Sequence, residues 1–167
     1  MAGLYCDYLA QEQQSTTNML GAILKQLFTR NKIPEPVWQA FHNEKSLQLS
    51  DLVEILKAAI ALLPGIFICI DALDECIPKN RLKLLGSLQE IVGASPTTRL
   101  FLTGRPHIQS EVKRYFPEAI TISVTPTIKD IERYLEMKLR EDTIPDAMNG
   151  DLRAEILRVI PRKISQM

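Results

Sequence analysis

Apolar residues recur along this chain in two alternating rhythms. Leu4, Tyr5, Cys6 and Tyr8 form a short β-prone run, so a first strand is expected almost at the start. From Thr16 to Arg30, Met19, Leu20, Ile23, Leu24, Leu27 and Phe28 fall at helical spacing, with Ser15 or Thr16 as the cap. Pro34 and Pro36 interrupt the chain, and a short helix is expected around Trp38 and Phe41. Ser50 and Asp51 can cap a helix carrying Leu52, Ile55, Leu56, Ala59, Ile60 and Leu63, which Pro64-Gly65 stops. An unbroken apolar run from Ile66 reads as a buried parallel strand.

The second half continues the alternation. Leu82, Leu85, Leu88, Ile91 and Val92 predict a helix ending near Gly93, and Arg99 to Thr103 predicts another strand. A helix over His107 to Tyr115 follows. Ile120, Ile122 and Val124 then alternate with Thr121, Ser123 and Thr125, the pattern of an edge or half-exposed strand. Thr127 and Asp130 make a capping-box-like start to a helix with Ile128, Ile131, Leu135 and Leu139 on one side. Leu152, Ile156, Leu157 and Ile160 predict a last helix that Pro161 breaks. Strands alternating with helices imply an α/β fold, a parallel sheet with helices on both faces and right-handed crossovers.

Composition narrows the class of function. The 167 residues, 46% hydrophobic and 6% aromatic, describe a globular chain long enough for a real core. Twenty basic residues balance twenty acidic ones, so no broad basic field points to nucleic acid or an anionic membrane. Cys6, Cys69 and Cys76 form no C-x-x-C pair, which suggests neither a disulfide framework nor a zinc site and fits a reducing compartment; Cys69 and Cys76 read as small packing residues. His42 and His107 are isolated and are assigned no metal. The longest apolar stretch, from Ala58 to Ile70, falls short of the roughly 18 residues a spanning helix needs. Without a secretory leader either, a cytoplasmic or nuclear protein is expected.

The chemistry concentrates where the unbroken apolar run ends. Ile66 to Cys76 reads Ile-Phe-Ile-Cys-Ile-Asp-Ala-Leu-Asp-Glu-Cys, an apolar strand closed by three acids, and it looks like a Walker B segment. Asp71 would sit at the carboxyl end of a parallel strand, where open α/β sheets bind ligands. A carboxylate there can hold Mg²⁺, which takes one or two acids together with phosphate and water. Taken alone, three acids after a core strand also describe a solvated turn, and Arg105 could serve simply to cap a turn or to pair with an acid. No G-x-x-x-x-G-K-[ST] segment, whose backbone cradles phosphates, occurs in the sequence.

Three ordered motifs together change the weighting. The strand from Ile66 to Cys76, then Leu-Phe-Leu-Thr-Gly-Arg-Pro from Leu100, then Thr-Ile-Lys-Asp-Ile-Glu-Arg-Tyr-Leu from Thr127, resemble the NACHT-type signal-transduction ATPases, and most of all the nephrocystin-like NACHT modules of fungal receptors with ankyrin or WD repeats. The resemblance implies a three-layer P-loop NTPase-like sheet. Asp71 would coordinate Mg²⁺ through water, and Asp74 or Glu75 would orient the attacking water as the catalytic acids. Arg105 would stand beside the γ-phosphate of ATP as a sensor. Ala72 stands where many relatives have glycine.

The family pattern also sets what is missing. Its first strand, phosphate-binding loop and first helix lie upstream of the strand expected at Leu4, so the fold is expected to be incomplete, with a partial NACHT domain over 1–145 and the start of a helical region over 146–167. Without the loop, Mg²⁺ and ATP are expected to bind weakly or not at all, and catalysis by the chain alone is not expected. The family's strand order puts the missing strand between those ending at Thr103 and starting at Ile120, so two inner edges would stand open to self-association. Three readings follow: a fragment of a nucleotide-dependent signalling switch, a non-catalytic interaction or decoy module that joins full-length NACHT relatives, or a truncated product without function.

Overall fold

The computed structural model describes residues 1–30, 48–141 and 149–164. The expected helix around Trp38 and Phe41, and the expected boundary between residues 145 and 146, lie outside the described residues. The chain forms two compact units, Met1–Ala119 and Ile120–Met167.

The first unit is α/β. Strands β1 (Ala2–Tyr5), β2 (Ile66–Asp71) and β3 (Thr98–Leu102) form a parallel sheet in the order β1-β2-β3. The register pairs Ala2 with Ile68 and Ile66 with Thr98. Helices α1 (Thr16–Arg30), α2 (Leu49–Ala61), α3 (Pro78–Gly93) and α4 (Gln109–Tyr115) supply the connections and the cover. Ser15 caps α1 by accepting the Asn18 N–H at 3.1 Å, and Asp51 reaches back to the Gln48 N–H at 3.0 Å at the start of α2. Pro64-Gly65 ends that helical stretch and β2 follows at once, because a proline cannot continue the ladder. The first strand begins earlier than its sequence pattern suggested, at Ala2, and the chain leaves it after Tyr5 in a 3₁₀ turn over Tyr8–Gln13.

Burial alternates along the strands, and that corrects the expectation of helices on both faces. Ile66, Ile68 and Ile70 are buried and join Leu20, Ile23 and Leu24 of α1, Leu56 and Ile60 of α2, and Leu84, Leu85 and Leu88 of α3 in one core. On the other face Tyr5, Phe67 and Phe101 are 71%, 60% and 58% exposed. Among the described residues of this unit the sheet is therefore covered on one face. An unbroken apolar run is consistent with burial on both faces, but successive side chains still point to opposite sides, and here only one side meets helices. The two outer edges differ. Gln26 of α1 closes the β1 edge by accepting the Gly3 N–H at 2.9 Å and donating to the Gly3 C=O at 2.7 Å. No described strand pairs with the outer edge of β3.

In the second unit α5 (Ile128–Arg140) packs against α6 (Gly150–Ile164). Thr127 and Asp130 form the expected capping box, with the Asp130 N–H donating to Thr127 Oγ1 at 3.2 Å and the Thr127 N–H to Asp130 Oδ2 at 3.0 Å. Two expectations fail here. Ile120 to Thr125 is not a strand: Ile120, Ile122 and Val124 are 91%, 76% and 89% exposed, and alternation without a neighbouring strand leaves nothing to bond the backbone. Nor does Pro161 break the last helix, which runs on to Ile164. Pro161 removes one backbone bond, to the Leu157 carbonyl, and only three helical residues follow it.

Candidate functional site

The acids and the arginine singled out from sequence meet at the carboxyl ends of β2 and β3. Asp71 is the last residue of β2, exposed, with its Oδ1 accepting a hydrogen bond from the Thr103 hydroxyl. Thr103 follows β3 and carries much of the local geometry. Its N–H donates to Ile70 C=O at 2.9 Å, its C=O accepts the Leu73 N–H at 2.9 Å, and its Oγ1 accepts the Ala72 N–H at 2.9 Å. The two strand ends are thus laced together, and the side chain of Leu73, fully buried, anchors the turn from below.

Between Asp71 and Leu73 the backbone turns sharply. Ala72 has φ 54° and ψ 44°, the left-handed region, and among the described residues it alone combines a positive φ with a side chain. Such a conformation costs an L-residue roughly 1–2 kcal/mol, so the lacing by Thr103 holds strain in place. After the turn Asp74 folds inward, 6% exposed, while Glu75 keeps 26% exposure.

Arg105 completes the group. Its N–H donates to Asp74 Oδ1 at 3.1 Å, its Nε lies 3.4 Å from Asp74 Oδ2, and an Nη lies 3.5 Å from Glu75 Oε1. The guanidinium is otherwise open to solvent, with 72% of the side chain exposed. The preceding Gly104 permits this approach: a Cβ there would fall 2.6 Å from Ile108 Cδ1 and 3.4 Å from Asp74 Oδ1. Arg105 therefore pairs with acids, as its bland reading from sequence allowed, and does so with the two carboxylates assigned to water activation.

Asp71 stands apart from that cluster. Among the described residues no group of three or more His, Cys, Asp or Glu side chains could hold a metal ion by itself. A single exposed carboxylate at a strand end suits Mg²⁺ only when phosphate oxygens and water fill the rest of its shell. Asp71 is the residue that would hold such an ion, with the Thr103 hydroxyl orienting its carboxylate; the ion would neutralise phosphate charge.

Two residues that the sequence did not single out support the site. Thr103 was legible only as the end of a strand. Arg81 of α3 is buried and reaches across to α4, where its Nε lies 2.7 Å from Glu111 Oε2 and an Nη lies 2.9 Å from Glu111 Oε1. Its other nitrogen donates to Cys76 C=O at 2.9 Å and Asp74 C=O at 3.3 Å, so one guanidinium pins the acidic turn from behind. The Glu111 hydrogen bonds and charge raise the Arg81 pKa, and the Arg81 guanidinium holds the Glu111 carboxyl below its usual range. Gln11 adds a further tether, donating to Glu75 C=O at 2.6 Å. Behind the turn Cys76 lies against Cys6. The Cys6 hydrogen bond, aided by the Arg81 charge, lowers the Cys76 pKa, and the same contact raises that of Cys6.

Residues 1–105 match the family described as Nephrocystin 3, N-terminal. The chain belongs to this family. All four site residues proposed from sequence, Asp71, Asp74, Glu75 and Arg105, fall inside the nephrocystin-type region, which ends at Arg105 itself. No curated protein and no solved structure matches the chain. Among the described residues of this nephrocystin-type chain no helix is long and apolar enough to cross a membrane.

Proposed function

We propose that this nephrocystin-type chain is part of a NACHT-type, nucleotide-dependent signalling switch with a P-loop NTPase-like sheet, of the kind found in cytoplasmic fungal receptors with ankyrin or WD repeats. The observation that carries the reading is the gathering of Asp71, Thr103 and Arg105 at the carboxyl ends of two adjacent parallel strands, the place where open parallel sheets bind ligands. In this reading Asp71 would hold Mg²⁺, Asp74 and Glu75 would orient the water that attacks a phosphate, and Arg105 would read phosphate oxygens. The Arg105 guanidinium, being exposed and only loosely paired, can exchange Asp74 and Glu75 for phosphate at small cost. Nucleotide would thus be sensed by moving one cation from carboxylates to phosphate.

The chain's 167 residues contain no glycine-rich phosphate-binding loop, so its own grip on Mg²⁺-ATP is weak and it is not proposed to turn over nucleotide alone. Calorimetry with Mg²⁺-ATP tests this. A dissociation constant weaker than about 10 μM, or roughly −7 kcal/mol, that Asp71→Ala and Arg105→Ala weaken further, supports the reading. Tighter binding that ignores both substitutions overturns it.

A second reading has its own support in the first unit. The outer edge of β3 has no partner strand among the described residues, and Phe67 and Phe101 stand exposed on the uncovered face. Open edges and apolar faces favour association. On this reading the chain joins itself or full-length NACHT relatives without catalysis. Sedimentation of the chain with and without lysine at Phe67 and Phe101 separates the two: a monomer unaffected by the substitutions sinks the interaction reading.

A further inference from the structure

Cys6 and Cys76, 70 positions apart in sequence, bring their Sγ atoms within 3.0 Å of each other beneath the acidic turn. They are free thiols, 1% and 2% exposed. Apolar packing does not require this closeness, since carbon atoms in contact sit about 3.5–4.0 Å apart and sulfur is larger than carbon. The backbone of each residue is fixed independently of the sulfurs. The Cys6 N–H donates to Asp71 C=O at 3.0 Å, and Cys76 C=O accepts from buried Arg81 at 2.9 Å. The two thiols therefore face each other from anchored positions.

A cleft lies beside the pair. It has a volume of about 150 Å³ and is lined by Tyr5, Cys6, Gln14 and Met19 among others. It is large enough for several water-sized molecules, given about 30 Å³ for each in liquid water. Met19 Sδ lies 3.9 Å from Cys76 Sγ, and Gln14 Oε1 lies at the same distance from it. A small polar oxidant entering this cleft comes up against Gln14 and Met19, the side chains that lie beside the Cys76 sulfur.

We propose that Cys6 and Cys76 are an oxidant-reactive dithiol site that closes to an intramolecular disulfide, tying the turn that carries Asp74 and Glu75 to the end of β1. The oxidant is a small hydroperoxide, hydrogen peroxide being the simplest. The Cys76 sulfur, whose proton is held less tightly than that of Cys6, attacks a peroxide oxygen, an S–O bond forms as the O–O bond breaks, and the thiol proton leaves with the departing hydroxide as water. The Cys6 sulfur then attacks the Cys76 sulfur. An S–S bond forms, the S–O bond breaks, and the Cys6 proton leaves with that oxygen as a second water. Two thiols give up two electrons and the peroxide takes both. The site does not depend on nucleotide binding, and it applies equally if the chain is an interaction module.

The experiment treats the full chain carrying Cys69→Ser with hydrogen peroxide, removes the oxidant, and maps the cysteine peptides without reduction. The expected product is monomeric, about 2 Da lighter, with the Cys6 and Cys76 peptides joined. Its thermal midpoint lies roughly 10 °C higher, and dithiothreitol reverses the change. A mass gain of about 16 Da or more per cysteine without a bridge would overturn the proposal. So would dimers linked through either cysteine, or a folded chain that leaves both thiols free while the urea-unfolded chain oxidises.

Discussion

Arg105 grips Asp74 twice, through a backbone N–H at 3.1 Å from Oδ1 and through a guanidinium nitrogen 3.4 Å from Oδ2. The two contacts differ in weight. The guanidinium is solvated, and exposed ion pairs contribute about 0–1 kcal/mol. The backbone bond ends on a charged carboxylate that is only 6% exposed, and hydrogen bonds to charged groups weigh more than neutral ones. Arg105→Ala should therefore change unfolding free energy by less than about 0.5 kcal/mol. Asp74→Ala should cost about 1–2 kcal/mol. Urea titrations of the two variants check this, and equal losses would show that the backbone bond carries no special weight.

Arg81 should matter more than any of the four sequence-predicted site residues for stability. Its side chain is 5% exposed and satisfies Glu111 on α4 together with two carbonyls of the acidic turn. Arg81→Ala strips all of these at once and should cost about 3 kcal/mol. Arg81→Lys keeps the charge but cannot reproduce the two-pronged contact, and should recover less than half of the loss. The pair also sets a pH dependence. The folded-state pKa of Glu111 is depressed below its ordinary 4.5 by Arg81, so the contribution is fully present above pH 4.5 and is lost as pH falls through the folded value. Urea midpoints from pH 7 down to pH 3 should thus fall more steeply for the wild-type chain than for Glu111→Gln. Parallel curves would contradict the assignment.

Ala72 holds a left-handed backbone that glycine adopts freely. Glycine relieves the strain but adds entropy to the unfolded chain, so the two effects partly cancel. Ala72→Gly should stabilise by about 0.5–1 kcal/mol. A rise in the chemical denaturation midpoint without a change in slope is the expected result. A destabilised variant would mean that the alanine methyl packs usefully where the backbone geometry implies strain.

Much of the first unit was legible because its signals are local. Met19 to Phe28, Leu52 to Leu63 and Leu82 to Val92 each carry a helical apolar face, and α1, α2 and α3 lie where these faces put them, to within a few residues at the ends. The parallel sense of β1, β2 and β3 follows from strands that alternate with helices, whereas their order does not. What the sequence could not say is which face of the sheet would be covered. Phe67 and Phe101 look like core residues in a linear run, yet they project from the bare side. Ile120 to Val124 failed for a related reason, since alternation describes a strand only when a neighbour completes its hydrogen bonds.

The site shows the same division. Asp71, Asp74, Glu75 and Arg105 could be singled out because charges after an apolar strand are conspicuous. Their pairing could not be read, because the choice between Arg105 meeting a phosphate and Arg105 meeting Asp74 depends on a turn of the chain at Gly104. Thr103 and Arg81 gave no signal of their own. A threonine ending a strand and an arginine on a helix are ordinary in sequence, and only the fold brings one to Asp71 and the other behind the acidic turn.

The most direct test of the account is an amide chemical-shift titration of the wild-type chain and Asp71→Ala with ATP at millimolar concentration, with and without Mg²⁺. The account predicts shifts confined to Asp71, Ala72, Thr103, Gly104 and Arg105, dependent on Mg²⁺, saturating in the range of about 0.1–10 mM, or roughly −5.5 to −2.7 kcal/mol, and lost in the variant. Absence of shifts at these residues in a folded sample, or shifts that persist in Asp71→Ala, would contradict it.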